Sequence, residues 1–381
     1  MADHNHAETT IATAPVGATT APRIGIIGAG GMIGRVHARA AEAAGAELVA
    51  VSASTPERAQ QIASELRTEP RIDPEHLLSD PDIDVVHICT PNHLHAPLTA
   101  SALRHGKHVV CEKPVGVGLD ELDEVSAEAA KRPELLIAVP FVYRFYPMVS
   151  VARQRMTDQR IWGLHGGYLQ DWLADPGQTN WRVDPGLGGP SRAFADIGAH
   201  WCDLAEFLTG QRIARLTARS SVAIRRRSSE TDRLAPTLVE TEDEVALIFE
   251  TNDGVLGTML ASQIAHGHKN DLHIEVRTER ETIRFAQEQP DELVVGRADG
   301  TLTLQRDLHD DDGASLRHSR LPSGHPQGYQ DAFDSFVATA YRSISSPEED
   351  LPVLADGLRA MRITDAVLES ALTNDWVEVP S

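Results

Sequence analysis

Cysteine is scarce in this sequence of 381 residues. The three that occur, Cys89, Cys111 and Cys202, lie far apart and form no C-x-x-C spacing. Their odd number and wide separation argue against a disulfide framework and a thiolate metal site, and we expect no bound metal. No apolar run approaches the roughly 18–20 residues that a membrane span needs, so the sequence predicts no transmembrane helix.

Basic residues are also in the minority, with 35 Lys and Arg against 56 Asp and Glu and a formal net charge of −21. An acidic surface repels phosphate backbones and anionic lipids. The dense basic cluster at residues 225–227 is followed closely by Glu230 and Asp232, and we interpret it as a solvated turn. Neither a nucleic acid nor a membrane surface is therefore expected as a partner.

Residues 1–21 lack both the basic start and the apolar stretch of a secretory signal. They carry Asp3 and Glu8 among alanines and threonines. This segment is predicted to be a disordered tail, and the location is predicted to be cytoplasmic.

From residue 22 onward, short apolar runs alternate with helical patterns. Strands are predicted at residues 23–28, 47–52, 84–90, 108–111 and 135–139. Thr55 is predicted to cap a helix whose first residue is Pro56, where a missing N–H costs nothing. Strands separated by helices form parallel βαβ units. Residues 22–142 are therefore predicted to form a doubly wound parallel α/β sheet of the Rossmann type.

Residues 143–381 show a different pattern. Apolar residues alternate on both sides of Asn252-Asp253-Gly254, and a second strand pair turns near Gly300. Such turns suit β-hairpins, so we predict a C-terminal α/β domain with a large, mostly antiparallel sheet. Helices are predicted at residues 198–208, 328–343 and 354–371, and the last of them could pack back on the Rossmann domain. The open face of the sheet is either polar or buried in a homodimer or homotetramer.

A glycine-rich turn joins the first predicted strand to its helix. Glycines let a backbone approach a pyrophosphate, whose charge is met by the helix N-terminus. The third glycine of the usual pattern falls one residue late, at Gly34. A plain tight turn is the alternative to a dinucleotide site. The predicted cofactor contacts in this turn are Gly28, Gly30, Gly31, Met32 and Ile33.

The end of the second predicted strand lacks a carboxylate. An acidic side chain there binds the ribose 2′-OH of NAD, and its absence leaves room for the 2′-phosphate of NADP. The segment reads Ser52-Ala53-Ser54-Thr55, with Arg58 close behind. The cofactor is therefore predicted to be NAD or NADP, and the pattern favours NADP, although a merely solvated Arg58 is the alternative. The predicted contacts are Ser52, Ser54, Thr55 and Arg58.

Polar residues follow two further strands, in the segments at residues 90–95 and 111–114. Ligands of open α/β sheets bind outside the carboxyl ends of the strands. Lys113 at such a position could hold a substrate hydroxyl and stabilise a developing alkoxide, and a Glu112–Lys113 surface pair is the alternative. Asn92 is predicted to cap the helix that follows it, and His95 either lines the nicotinamide pocket or caps the same helix.

Asp196 and His200 form the strongest predicted pair. Four residues apart at a helix start, they would share one face. A carboxylate there would orient the imidazole and raise its basicity, as suits a general base. The alternative is that Asp196 is an N-cap and His200 a satisfied core histidine.

Several motifs occur together and in a fixed order. They are the glycine turn followed by Arg35-Val36-His37-Ala38, the Thr90-Pro91-Asn92 turn, Glu112-Lys113-Pro114, Tyr143-Arg144-Phe145, and Asp196-Ile197-Gly198-x-His200. Over about residues 22–379 this combination resembles the glucose–fructose oxidoreductase / inositol dehydrogenase / rhizopine catabolism (Gfo/Idh/MocA) family. The resemblance implies a Rossmann domain followed by a sheet domain that often buries its open face between subunits.

The resemblance also implies roles for individual residues. Lys113, before a cis bond to Pro114, would contact nicotinamide and the reacting hydroxyl, while His200 would be the general acid/base, oriented by Asp196. The further cofactor contacts that it implies are Thr90, Pro91, Asn92, His95, Glu112, Trp181 and Arg182. The substrate contacts that it implies, besides Lys113, are Tyr143, Arg144, Asp171, Asp196, His200 and His325.

The function predicted on these grounds is an NAD(P)-dependent dehydrogenase that oxidises a secondary hydroxyl of a sugar, glycoside or cyclitol. Three alternatives stay open. They are a keto-sugar reductase, an NAD-dependent glycosidase that oxidises its substrate transiently, and a non-catalytic regulator that senses the cofactor.

Overall fold

The computed structural model describes residues 21–229, 232–306, 313 and 317–380. Of the predicted tail, residues 1–20 lie outside this described part of the chain. The strands are β1 (Arg23–Ile27), β2 (Glu47–Ser52), β3 (Glu69–Pro70), β4 (Val85–Ile88), β5 (His108–Cys111), β6 (Ile137–Ala138), β7 (Ile161–Leu169), β8 (Ile213–Ser221), β9 (Arg226–Ser229), β10 (Asp232–Leu238), β11 (Glu244–Thr251), β12 (Leu256–Ser262), β13 (Asp271–Thr278), β14 (Thr282–Ala286), β15 (Glu292–Arg297), β16 (Gly300–Gln305) and β17 (Val377–Glu378). The helices are α1 (Met32–Ala43), α2 (Pro56–Leu66), α3 (Pro74–Leu78), α4 (His95–Arg104), α5 (Leu122–Lys131), α6 (Pro147–Met156), α7 (Pro185–Gly188), α8 (Ala199–Thr209), α9 (Tyr329–Ser343) and α10 (Leu354–Thr373).

The first sheet has six parallel strands in the order β3-β2-β1-β4-β5-β6. This is the order of a doubly wound dinucleotide-binding fold, and the prediction of a Rossmann sheet is confirmed. Thr55 caps α2 as predicted, because its hydroxyl accepts from the Arg58 backbone N–H. Since the strands are parallel, the segments after β1, β2, β4 and β5 all emerge at one edge of the sheet. That edge is where the predicted cofactor and lysine segments meet.

The second sheet has nine strands in the order β16-β15-β14-β13-β7-β12-β11-β8-β17. Only β7 and β12 pair in parallel, and every other neighbouring pair of this sheet is antiparallel. The predicted hairpins are β11–β12 and β15–β16, and Gly254 in the first turn has φ of +76°. The prediction of a large, mostly antiparallel sheet is therefore confirmed.

The arginine cluster near residue 226 corrects one prediction. Instead of a solvated turn, residues Arg226–Ser229 form β9. The Arg227 side chain is fully buried and lies 2.9 Å from the Asp243 carboxylate. A carboxylate distant in sequence neutralises the charge, which is why the local pattern failed to predict burial.

The C-terminal helices contact the first sheet unit. Gln330 of α9 donates a hydrogen bond to the Val36 carbonyl of α1 over 3.2 Å, and the rings of Phe333 and His37 lie 4.7 Å apart. Before α10, the Pro352 carbonyl accepts from the Val139 N–H. These contacts pack α9 and the segment before α10 against the parallel-sheet unit. The candidate site lies where the carboxyl edge of that sheet meets the segment before α8.

Candidate functional site

The glycine-rich turn has the geometry of a phosphate cradle. Gly28 has φ of +86°, and a Cβ there would lie 2.6 Å from the Cys89 backbone, so only glycine fits. A Cβ at Gly34 would lie 2.6 Å from the Ala29 Cα, so Gly34 provides the close helix–strand approach expected of the third glycine. The displaced glycine therefore serves its usual packing purpose one residue later.

The N-terminus of α1 is free for an anion. Gly31 caps the helix without a side-chain hydrogen bond, and the first turn carries no acidic residue. A Cβ on Gly31 would meet no atom of the described residues within 4 Å, so space remains beside it, and Met32 is 73% exposed. Ile33 is half-buried next to them. Open space and unscreened N–H groups at a helix start suit a pyrophosphate.

The segment after β2 carries Arg58, whose guanidinium contacts the glycine turn. Arg58 donates to the Gly30 carbonyl over 3.0 Å and to Gln61 over 2.8 Å. Ser54 is exposed, and Thr55 uses its hydroxyl oxygen as the helix cap. Arg35, by contrast, is paired with Glu65 at 2.6 Å.

Two buried hydroxyls at the same edge lack partners. Ser52 Oγ, at the end of β2, and Thr90 Oγ1, just after β4, have no hydrogen-bond partner among the described residues. Buried polar atoms are normally paired, and a polar ligand at this edge would supply partners. Together with the glycine cradle, these atoms fit a dinucleotide.

The Thr90–Pro91 turn corrects the prediction for Asn92. Its side-chain amide does not cap α4 but donates to the Gly188 carbonyl over 2.8 Å, and α4 begins only at His95. The His95 ring lies between two carbonyl oxygens, that of Pro114 at 2.6 Å and that of Thr90 at 2.8 Å. His95 thus ties this turn to the lysine segment.

Lys113 and Asp196 form the centre of the site. Lys113 precedes a cis bond to Pro114, as the resemblance implied. Its Nζ donates to the Asp196 Oδ1 over 3.0 Å and to the Asp196 carbonyl over 2.7 Å. The surface pair of Glu112 with Lys113 is therefore not what the structure shows.

The Asp196 carboxylate has two further donors. Arg182, stacked on Trp181 at 4.4 Å, reaches Oδ1 over 3.3 Å, and Gln263 donates to Oδ2 over 2.8 Å. Burial opposes ionisation, but the charges of Lys113 and Arg182 hold the pKa of Asp196 well below its usual value. The carboxylate is therefore ionised at neutral pH.

His200 is not hydrogen-bonded to Asp196, which corrects the predicted pair. Residues Phe194–Gly198 form a π-helical turn, so the four-residue spacing does not give the usual α-helical alignment. Instead the imidazole is held edge-on by the rings of Tyr143, at 5.1 Å, and Phe141, at 5.6 Å.

The His200 imidazole is neutral and open to a partner. Burial and the charge of Lys113 hold its pKa well below 6.5. Its Nδ1 is buried without a partner among the described residues. The basicity of His200 is therefore lowered rather than raised as predicted, because burial and the Lys113 ammonium group outweigh the Asp196 carboxylate, and the imidazole is in its proton-accepting form.

Two tyrosine rings, those of Tyr143 and Tyr168, lie beside His200. The hydroxyls of Tyr143 and Tyr168 are hydrogen-bonded, and that of Tyr168 donates to Asn270 over 2.6 Å. Tyr329 lies 6.4 Å from Tyr143, ring to ring. Burial raises the pKa of Tyr143 to about 12, so it stays protonated and polar without charge.

Three predicted substrate residues are engaged elsewhere. Arg144 donates through Nε to Asp203 over 2.9 Å and through a terminal nitrogen to Asp356 over 2.8 Å, so its guanidinium is a buried structural group. Asp171 accepts from Lys269 over 2.7 Å and from the Gly267 N–H. His325 is exposed, and no contact among the described residues joins it to Lys113 or His200.

The sequence analysis missed several residues of the site. Gln263 and Arg192, both buried, lie on the far side of Asp196, and the Tyr168 ring lies 6.5 Å from the His200 ring. No local signal in the sequence marked Gln263 or Arg192.

The described residues hold no cluster of three or more histidine, cysteine or carboxylate side chains that could bind a metal. Within the same part of the chain, no helix has the length and apolar character that crossing a membrane requires.

Known proteins resemble the chain over nearly its full length. Residues 22–139 match the family described as "Oxidoreductase family, NAD-binding Rossmann fold", and residues 160–284 match the "GFO/IDH/MocA C-terminal domain". A levoglucosan dehydrogenase of Pseudarthrobacter phenanthrenivorans is 31% identical, over 94% of this chain and 98% of its own. The inositol 2-dehydrogenase of Rhizobium meliloti is 29% identical, over 94% and 99%. A levoglucosan dehydrogenase solved in complex with NADH superposes with a TM-score of 0.86 at 31% identity, over 95% and 100%.

Proposed function

The chain belongs to the GFO/IDH/MocA family of NAD-binding oxidoreductases, and on that premise we propose that it oxidises a secondary hydroxyl of a neutral sugar, glycoside or cyclitol. The observation that carries the proposal is the Lys113–Asp196 pair, with a neutral His200 beside it. An ammonium group can stabilise a developing alkoxide, and an uncharged imidazole can accept the hydroxyl proton.

The cofactor would lie along the carboxyl edge of the first sheet. The glycine turn and the start of α1 would hold its pyrophosphate, while Thr90, Glu112 and Lys113 would border its nicotinamide end, with Trp181 and Arg182 above. When bound, the nicotinamide supplies the hydride acceptor. The protein supplies position and the path of the proton.

His200 would accept the hydroxyl proton, since its imidazole is in the neutral form. Lys113 would donate to the oxygen as it becomes an alkoxide. An ammonium group has three N–H donors, and two of those of Lys113 already point at Asp196. The third is available for the substrate oxygen, and Asp196 holds the ammonium group in place for it.

A neutral, hydroxyl-rich substrate fits the charges of the site. Within the described residues, Lys269 is paired with Asp171, whereas Lys113 and Arg182 share the single carboxylate of Asp196. These three cations and two carboxylates leave one net positive charge, which is less than a phosphate dianion needs. The hydroxyls of Tyr143 and Tyr168 and the Asn270 amide are donors and acceptors suited to sugar hydroxyls.

At the adenosine end we propose that NADP is accepted in preference to NAD. No carboxylate follows β2 before Glu57, and Arg58 stands against the glycine turn with neutral partners. The relative solved in complex with NADH makes NAD the alternative cofactor. A guanidinium without a carboxylate partner is the group that would bind a ribose 2′-phosphate.

We also propose that the open face of the nine-stranded sheet is covered by a second copy of the chain. Trp162, Ile248 and Leu256 on β7, β11 and β12 are 62%, 44% and 53% exposed. Exposed apolar side chains close together mark an interaction surface. Ile248→Arg should shift the sedimentation mass toward the monomer, whereas Leu372→Arg on α10, at an equally apolar exposed site, should leave it unchanged.

Initial rates with purified protein test the proposed activity. Inositols, anhydrosugars, free sugars, glycosides and sugar phosphates are each offered with NAD and NADP while reduced nicotinamide is monitored. The proposal predicts reduction with neutral polyols and none with phosphates. Faster turnover of keto sugars with reduced cofactor would indicate a reductase. Release of an aglycone without net reduction would indicate a glycosidase, and cofactor binding without turnover a regulator.

A further inference from the structure

A continuous line of buried polar groups runs from α9 to Lys113. The Tyr341 hydroxyl lies 2.8 Å from His87 Nε2, and His87 Nδ1 lies 2.8 Å from His37 Nδ1. His37 Nε2 is 3.1 Å from Glu112 Oε1. The other carboxylate oxygen, Oε2, accepts from the Lys113 backbone N–H over 3.2 Å.

The two histidines in the middle of the line are fully buried, and the line joins four separate elements. His37 on α1 and His87 on β4 are 0% exposed, and Glu112 after β5 is 8% exposed. Phe333 packs against the His37 ring, edge to face. Buried polar groups cost free energy unless every donor and acceptor is paired, so the hydrogen positions along this line are strongly constrained.

An ionised Glu112 together with a neutral His37 determines the direction of every hydrogen bond. A carboxylate only accepts, so His37 must donate from Nε2, which leaves its Nδ1 to accept. His87 must then donate from Nδ1, and its Nε2 accepts from the Tyr341 hydroxyl. Two neutral imidazoles, one phenol and one carboxylate satisfy all four contacts without a gap.

The pKa directions agree with this assignment. Burial opposes ionisation of Glu112, but its hydrogen bond with His37 lowers its pKa below the usual value. Burial holds the pKa of His87 well below 6.5. The groups facing this line from the packed elements are therefore an ionised Glu112, a neutral His87 and a protonated Tyr341.

We propose that Glu112 is a positioning residue for Lys113, and that the His37–His87–Tyr341 line keeps its carboxylate in one rotamer. The carboxylate holds the backbone of Lys113 while Asp196 holds its Nζ, so the lysine is held at both ends. The catalytic consequence of this inference rests on the proposed function. The direction of the hydrogen bonds along the line, which we call the directed line, does not depend on the proposed function.

Glu112→Gln is the discriminating variant. Glutamine keeps the shape of the side chain but offers one acceptor and one donor. If its oxygen accepts from the Lys113 N–H, its amide group must donate to His37 Nε2. The direction of every hydrogen bond along the line is then reversed. His37 donates from Nδ1 to His87, and His87 carries its proton on Nε2. Tyr341→Phe removes only the far end, so His87 should keep its Nδ1–H.

The test combines ¹⁵N NMR of labelled histidine with steady-state kinetics. The His87 signal is assigned by its loss in His87→Gln. We expect the Nδ1–H tautomer in the wild type and in Tyr341→Phe, and the Nε2–H tautomer in Glu112→Gln. We expect kcat of Glu112→Gln to fall about tenfold, because small displacements of a catalytic group are costly, with KM changed less.

His108→Gln is the matched control. His108 on β5 accepts from the Leu136 N–H over 3.0 Å but lies outside the line, so its loss should leave kcat and the His87 tautomer unchanged. A wild-type His87 protonated at Nε2 would overturn the directed line, and Glu112→Gln with wild-type kcat would overturn the positioning role. Since the tautomer readout needs no turnover, an inactive wild type would contradict only the proposed function.

Discussion

The side-chain amide of Gln263 donates a hydrogen bond to the Asp196 carboxylate, with Nε2 and Oδ2 2.8 Å apart. Because the nitrogen is the donor, the amide oxygen is left to accept from Arg192, 3.1 Å away. Gln263 is 0% exposed and Arg192 is 2% exposed. The Gln263 amide therefore fixes the position of the Asp196 carboxylate, and the buried Arg192 guanidinium determines which way that amide is oriented.

Gln263→Leu should weaken both the fold and the site. It leaves Asp196 Oδ2 and an Arg192 N–H without their shared partner, and an unmet buried group costs about 1–3 kcal/mol. We expect the free energy of unfolding in urea to fall by that amount and kcat to fall with it. Gln154→Leu, at an exposed position on α6, should change neither, and an unaltered Gln263→Leu would contradict the assigned contact.

Two glycine variants should separate packing from cofactor binding. In Gly34→Ala the new Cβ lies 2.6 Å from the Ala29 Cα, and such overpacking costs about 1–3 kcal/mol, so the melting temperature should fall.

In Gly31→Ala the Cβ meets no atom of the described residues within 4 Å, so stability should be unchanged. NADH affinity should still fall about tenfold, equivalent to about 1.4 kcal/mol, because the methyl group enters the proposed cradle. Fluorescence titration with NADH measures this affinity. Wild-type affinity in Gly31→Ala would mean that the cofactor binds away from this turn.

Stability should depend on pH through His200. Its pKa in the fold lies well below the usual 6.5, so below that pH the unfolded chain binds a proton that the folded chain does not. The stabilising contribution is complete above pH 6.5 and is lost as the pH falls toward the lowered value.

His200→Gln should therefore flatten part of the decline in unfolding free energy between neutral and acidic pH. His76→Gln, at an exposed position on α3, should keep the wild-type slope. Urea unfolding at a series of pH values measures both. Identical slopes for His200→Gln and the wild type would mean that the imidazole is not neutral in the fold.

Cofactor choice should depend on Arg58. A charge-assisted hydrogen bond is worth about 1.5–3 kcal/mol, so Arg58→Ala should lower kcat/KM for NADP about 10- to 100-fold and that for NAD much less. Arg39→Ala, at an exposed position on α1, is the control and should affect neither. Equal losses with both cofactors would remove the support for NADP.

Local patterns were enough to predict most of the first sheet and the β11–β12 hairpin of the second. The cap at Thr55, the proline at Pro56 and the turn at Gly254 each depend on a few adjacent residues, and each appears as predicted. Gly34 shows that the exact spacing of a motif is a poor guide to its geometry. Although this glycine lies one residue later than in the usual pattern, it still provides the close approach of α1 to the end of β1.

Contacts between distant segments account for what the sequence could not predict. Arg144 follows Tyr143 directly, yet its partners Asp203 and Asp356 are 59 and 212 residues away. The π-helical turn before α8 broke the spacing argument for Asp196 and His200, and no local signal marks such a turn. No sequence pattern marks Gln263 either, since its hydrogen bond to Asp196 forms only when the chain folds and brings the end of β12 beside Asp196.

The central claim is that Lys113 and His200 carry out the proton chemistry of alcohol oxidation. Single-turnover reduction of the bound cofactor by a neutral polyol tests it most directly, in Lys113→Met and His200→Gln against the exposed controls Lys131→Met and His76→Gln. A positioned acid or base contributes about 10²- to 10⁴-fold. The account predicts losses of that size in the first two variants and wild-type rates in the controls. Wild-type rates in Lys113→Met and His200→Gln would contradict it.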